Sequence, residues 1–278
     1  MSEYTYNTSS FPSSVKSLKD AQVVVFGVPL DSTVDYLTGT RFGPRIIREA
    51  ANFIEPFDIE IKKNLLEEVR IIDIGDIEPV RGNAQKTLER VEKQVKKIIK
   101  AKKFPLMLGG EHLLSLGVVK ALPKGTKIIS FDAHYDLKEV WEGSEYTHNT
   151  WLRRATEILG KKNVCLVGVR CGDEFEYEYS KELLVNPSFQ ELEKFVKGRD
   201  VYLSVDMDVF DPSVAPGVGT PEPDGIKYSD FIEKLRMICD FGNIAGLDIV
   251  EARPLGENKI TEILAAKLIF KVLGYEFS

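Results

Sequence analysis

Apolar residues in this chain gather into short runs rather than spreading evenly. Gln22 to Val28, Val69 to Ile74, Phe104 to Leu108, Lys127 to Phe131, Asn163 to Val169, Asp200 to Val205 and Asn243 to Val250 are each rich in Val, Ile, Leu or Phe. Runs of this length and kind predict strands buried on both faces. Between them lie helical patterns. The clearest is Asn83 to Lys102, where Leu88, Val91, Val95, Ile98 and Ile99 form one stripe and Glu92 precedes Lys96 by one turn. Ile260 to Leu273 is apolar nearly all round, which predicts a closing helix covered by the sheet or by a partner subunit. Strand then helix, repeated, predicts an α/β fold with a parallel sheet sandwiched between helices. No linker, repeat or low-complexity tract interrupts the order, so residues 1–278 are expected to form a single domain, with residues 1–20 as a peripheral N-terminal segment.

The polar residues that break the pattern are not scattered. GGEH (Gly109 to His112), DAHYD (Asp132 to Asp136), SVDMDVFDP (Ser204 to Pro212) and LDIVE (Leu247 to Glu251) each stand at the carboxyl end of a predicted strand. In open α/β sheets that edge is where ligands bind, because the loops converge on a crevice there.

Composition narrows the possibilities without choosing among them. With 278 residues, 43% hydrophobic and 29% charged, the chain is ordinary for a globular protein. No apolar run is long enough for a membrane span, and MSEYTYNTSS lacks the features of a secretion signal, so a cytoplasmic location is expected. Cys165, Cys171 and Cys239 are odd in number and share no C-x-x-C spacing, which argues against a disulfide framework or a zinc-thiolate site. A net charge of −6 argues against nucleic-acid binding.

Electrostatics gives the strand-end motifs their meaning. Asp132, Asp136, Asp206 and Asp208 place four carboxylates at the edge of an apolar core, where like charges repel and hydration is lost. His112 and His134 are poor counter-charges at neutral pH, whereas divalent metal is a good one. Four carboxylates with two imidazoles and no thiol form an oxygen-dominated set that suits Mn²⁺ better than structural zinc, and six ligands are enough for a pair of ions. All three histidines, His112, His134 and His148, lie in or beside these motifs.

These residues carry a resemblance. GGEH, DAHYD, the segment Ser204 to Gly225 and GLDIVEARP (Gly246 to Pro254) resemble the signatures of the ureohydrolase family, which includes arginase and agmatinase. GVPLDSTVDYLTGTRFGPRIIREA (Gly27 to Ala50), DIGDI (Asp73 to Ile77) and GVR (Gly168 to Arg170) extend it toward the N-terminus. The resemblance implies a three-layer α/β/α sandwich around an eight-stranded parallel sheet and a homo-oligomer, trimeric or hexameric. It also implies a binuclear manganese centre, two Mn²⁺ per chain, that hydrolyses a guanidinium group to urea and an amine. By position it assigns one manganese to His112, Asp132, Asp136 and Asp206 and the other to His134, Asp132, Asp206 and Asp208, with Asp132 and Asp206 bridging. The nucleophile implied is a hydroxide activated by both ions. Asp136 is the expected proton carrier and His148 the proton shuttle at the pocket mouth. Glu251 is the expected anchor for the guanidinium, against the alternative of an ion pair with Arg253 or Arg45. Thr220 and Glu222 are read as loop-shaping, and Arg41 and Arg45 as structural or interface residues.

Arginase-like sequences hold the amino-acid head of their substrate with asparagines at positions where this chain has Lys138 and Tyr146. Agmatine, cleaved to putrescine and urea in polyamine synthesis, is therefore the expected cationic substrate; arginine and guanidinobutyrate are the alternatives within the family. Glu111, Asn149 and Trp151 depart from the family pattern. Outside the family, a metal-stabilised scaffold and a deacetylase-type zinc amidohydrolase are the rival readings.

Overall fold

The computed structural model describes residues 5–6, 9–12 and 15–277. Its strands are β1 (Thr5–Tyr6), β2 (Val23–Val28), β3 (Phe57–Asp58), β4 (Lys63–Asn64), β5 (Ile71–Ile77), β6 (Phe104–Gly109), β7 (Lys127–Phe131), β8 (Val164–Val167), β9 (Leu184–Val185), β10 (Asp200–Asp206) and β11 (Asn243–Val250). Apart from the β3–β4 hairpin they form one sheet in the order β1-β5-β2-β6-β11-β10-β7-β8-β9. Eight of these nine strands run parallel, joined by seven parallel pairings; β1 pairs antiparallel at the edge.

Alternation along the strands divides the core into two layers. Val23, Val25, Leu106, Leu108, Leu203 and Ile249 pack with the helices Gly43–Ala51, Tyr228–Phe241 and Ile260–Phe277. Val24, Phe26, Val28, Met107 and Tyr202 pack with Ala84–Lys100, Leu114–Val119 and Trp151–Leu159 on the opposite face. Each face is thus buried under helices, the three-layer arrangement expected. The helix Ala84–Lys100 is capped by Asn83, whose side chain accepts from the Lys86 amide at 2.9 Å, and Leu88, Val91, Val95 and Ile98 are its buried stripe. The closing helix continues to Phe277 and packs against the helix Gly43–Ala51. Its one deeply placed cation, Lys271, is neutralised by Asp58 at 2.7 Å and Glu60 at 2.9 Å from the hairpin region.

Strand β5 extends past the predicted Ile74 to Ile77. The two aspartates of its DIGDI motif are tolerated because fully buried Arg48 pairs with both, with Asp73 at 2.7 Å and with Asp76 through Nη1. Gly27 on β2 faces this ion cluster, where a Cβ would come within 1.9 Å of Asp76 Oδ1. At the other side, β8 ends at Val167 rather than Val169, because Gly168 turns the chain at φ +100°.

Candidate metal centre

The four strands whose ends carry GGEH, LDIVE, SVDMD and DAHYD are consecutive in the sheet, in the order β6-β11-β10-β7. Register then does the positioning. Ser204 pairs with Ser130 and Val205 with Phe131, so Asp206 and Asp132 come next on adjacent strands and, by alternation, on one face. Asp206 pairs with Val250 on the other side, which brings Glu251 alongside. At β6, a Cβ on Gly110 would lie 1.9 Å from the Leu30 carbonyl oxygen; only a glycine backbone fits between Leu30 and Glu251, whose amide donates to the Gly110 carbonyl at 2.9 Å.

The result is a tight buried cluster. His112 Nδ1 lies 3.1 Å from Asp132 Oδ2, 3.1 Å from Asp206 Oδ2 and 3.3 Å from Asp136 Oδ2. His134 Nδ1 lies 3.0 Å from Asp208 Oδ2 and 3.6 Å from Asp132 Oδ1. Asp132 is common to both groups. The predicted ligands His112, Asp132, His134, Asp136, Asp206 and Asp208 are all brought together, and His134, Asp136, His148 and Glu251 line one pocket of about 270 Å³.

Two features show that the donor set fits a cation. His112 Nδ1 and Asp132 Oδ2 are buried and have no hydrogen-bond partner, although they face each other; unpaired buried polar atoms that converge are costly unless an ion joins them. The tautomer is also arranged for it. Ser204 donates to Asp248 Oδ1 at 2.7 Å, and Tyr202 donates to Asp248 Oδ2 at 2.9 Å. With its proton committed, the Ser204 hydroxyl accepts from His112 Nε2 at 3.0 Å, so it is Nδ1 that gives up a proton and offers its lone pair when the imidazole becomes neutral.

Protein charges alone strain this cluster. Burial, with Asp208 and Asp132 beside it, pushes the Asp206 carboxyl well above the usual carboxylate range. Burial and then Asp132 raise Asp136 to about 6. Burial opposes a charge on His112, yet Asp132, Asp136 and Asp206 draw its imidazole well above the ordinary value. The cluster therefore holds protons where a divalent ion would replace them.

The residues around it are held by short bonds. Trp151, the first residue of the helix Trp151–Leu159, is buried, stacks on the His112 ring at 4.4 Å and donates from Nε1 to Asp136 Oδ2 at 2.9 Å. His148 donates from its amide to Thr33 Oγ1 at 2.9 Å and from Nδ1 to the Thr33 carbonyl at 2.7 Å. Glu111 in turn accepts from the Thr33 amide at 2.8 Å and from its hydroxyl at 2.9 Å. His148 Nε2 is thereby left toward the pocket, 3.7 Å from Asp35. Glu251 makes no pair with Arg253 or Arg45; its Oε1 accepts the His112 amide at 2.7 Å, and burial raises its carboxyl well above the usual range. Asp136 and Glu251 both adopt left-handed backbone, at φ +52° and +62°. Arg41 pairs with Asp31 at 3.0 Å and Arg45 with Glu49 at 2.7 Å, both arginines being largely exposed.

Thr33, Ser204, Asp248 and Asp35 were not singled out by sequence. Ser204 stands two residues before a ligand candidate, a spacing that marks the same strand face, and Thr33 lies in the VPLDST motif; nothing in the sequence signals their partners.

A sequence model of the arginase family matches residues 21–274. An agmatinase from Bacillus anthracis is 38% identical over 280 residues, 96% of each chain. The chain belongs to the arginase family. An N(1)-aminopropylagmatine ureohydrolase from Thermococcus kodakarensis is 36% identical, covering 98% of this chain and 96% of that one. The crystal structure of an agmatine ureohydrolase from Thermoplasma volcanium superposes with a TM-score of 0.89 at 32% identity, over 98% of this chain and 95% of that one. As an arginase-family protein the chain is a hydrolase acting on guanidino carbon–nitrogen bonds. No helix among the described residues is long and apolar enough to cross a membrane.

Proposed function

We propose that this enzyme is an agmatinase, cleaving agmatine to putrescine and urea at a binuclear manganese centre held by His112, Asp132, His134, Asp136, Asp206 and Asp208. The observation that carries the substrate is the state of Lys138. Among the described residues lining the pocket it is the lysine or arginine, and its ammonium is already engaged by Asp173 at 2.5 Å and Glu176 at 3.2 Å. The α-carboxylate of arginine or the carboxylate of guanidinobutyrate would be desolvated in a pocket lined by acids, with no free lysine or arginine to meet it. Agmatine brings only positive charge into that pocket.

Two divalent ions would supply the Lewis acidity that makes water a nucleophile at neutral pH. Glu251 holds the guanidinium: with Oε1 fixed by the His112 amide, Oε2 is directed past Gly219, where a Cβ would stand 3.9 Å away, toward the pocket. An arriving guanidinium restores the ionised carboxylate that burial disfavours. Asp136, oriented by the Trp151 indole, carries the proton to the departing amine. His148, with Nδ1 committed to the Thr33 carbonyl, exchanges protons through Nε2 at the mouth. Urea release from agmatine, arginine, guanidinobutyrate and N(1)-aminopropylagmatine by the manganese-loaded enzyme tests the reading. Agmatine is expected to exceed both carboxylate-bearing substrates by about 10²-fold in kcat/KM; comparable efficiency on arginine overturns it.

A further inference from the structure

Lys138, Trp141, Asp173 and Glu176 line both the reaction pocket and a neighbouring groove of about 550 Å³, so they form the wall the two share. On that wall the Lys138 ammonium sits in a cation site made by the protein for itself. Besides its two carboxylate partners it lies 5.0 Å from the centroid of the Trp141 ring. The acceptors are fixed independently of it. Glu176 is buried, accepts the Leu137 amide through Oε1 at 2.9 Å and the Asp173 amide through Oε2 at 3.2 Å, while Asp173 Oδ1 accepts the Glu176 amide at 2.9 Å. Two prearranged carboxylates and an aromatic face are a site for an alkylammonium group.

Beyond the wall the groove offers what an extended amine needs. Val140, Phe175 and Tyr179 supply apolar surface, and Glu139 adds a further acid. The other cation of the groove, Arg153, is already engaged, lying 3.8 Å over the Tyr179 ring and within 3.7 Å of Glu157 and 3.9 Å of Glu139.

We infer that Lys138 is a specificity-determining plug: its own ammonium occupies a subsite for the second cationic nitrogen of a longer guanidino-polyamine, and so confines the enzyme to short tails. This rests on the guanidino-amine reading above. A second substrate ammonium reaching the wall meets a like charge and would have to displace it from Asp173, Glu176 and Trp141, whereas agmatine has no second ammonium to place there. Removing the lysine ammonium turns the same acids into a binding site for the substrate.

The test compares wild type with Lys138→Ala, Lys138→Met and Lys138→Arg. Urea release gives kcat/KM for N(1)-aminopropylagmatine and for agmatine, and both neutral variants are expected to raise that ratio about tenfold or more, with Lys138→Arg keeping the wild-type ratio. Lys138→Met preserves the aliphatic stem should the alanine variant fold poorly. A second readout needs no turnover: propylammonium chloride, against sodium chloride at equal ionic strength, is expected to raise the melting temperature of Lys138→Ala and not of wild type. An unchanged ratio, a wild type that already prefers the longer substrate, or a propylammonium effect equal in wild type and variant overturns the inference. Absence of urea release from agmatine by wild type refutes the functional reading instead, and the propylammonium comparison still decides whether the plug exists.

Discussion

Single side chains in this site differ in what they hold, and substitution separates them. His148 is bonded to Thr33 and not to the carboxylate cluster, so His148→Ala is expected to retain both metal ions by elemental analysis while turnover falls by about 10² to 10⁴, the range for loss of a proton-transfer group. Asp206 stands against His112 on one side and accepts the Asp208 amide at 2.8 Å on the other. Asp206→Asn is therefore expected to lose both ions together; a fully loaded pair in that variant would refute the bridging role. The six ligand candidates stand out in the sequence because ionisable residues at strand ends have few structural reasons to be there, whereas the roles expected of His148 and Glu251 come from the family resemblance. The residues that aim them do not stand out. Ser204 and Asp248 read as ordinary strand positions until register sets them side by side, and the link from Glu111 through Thr33 to His148 joins segments far apart in sequence.

At the scale of elements, the helix Gly43–Ala51 is fastened to β5 by Arg48, which is fully buried between Asp73 and Asp76. Arg48→Ala leaves two carboxylates buried without that partner and is expected to lower the unfolding free energy by about 3–5 kcal/mol in urea denaturation. Arg45→Ala, on the exposed face of the same helix, is expected to leave the transition where it is. The same ion cluster explains where sequence reading stopped short. Apolar runs locate seven strands, since burial on both faces leaves a continuous hydrophobic signal, but the run in β5 is broken after Ile74 by Gly75 and Asp76, and the Arg48 that neutralises Asp76 is distant in sequence. The two-residue strands β1 and β9 escaped for a different reason. Two residues carry no period, and their pairing is dictated by the neighbouring strand rather than by their own side chains.

For the molecule as a whole, protons and divalent ions compete for the same atoms. Asp136 is raised to about 6 and Asp206 well above its ordinary value, chiefly by burial, so both must lose protons to accept an ion; His112, drawn upward by its three aspartates, must do so as well. Apparent manganese affinity is therefore expected to fall as pH drops through about 6 and to keep rising above neutrality. Calorimetric titration in buffers of different ionisation enthalpy should record net proton release on binding, and a pH-independent affinity with no proton release would contradict this. The backbone at Asp136 and Glu251 carries one more consequence. Left-handed φ at a non-glycine residue costs stability, and so does a buried acid; glycine at either position would relieve both. A laboratory selection that rewarded heat resistance alone would thus drift toward erasing the site, and the survival of two acids on unfavourable backbone records that this sequence was filtered for what it does as well as for folding.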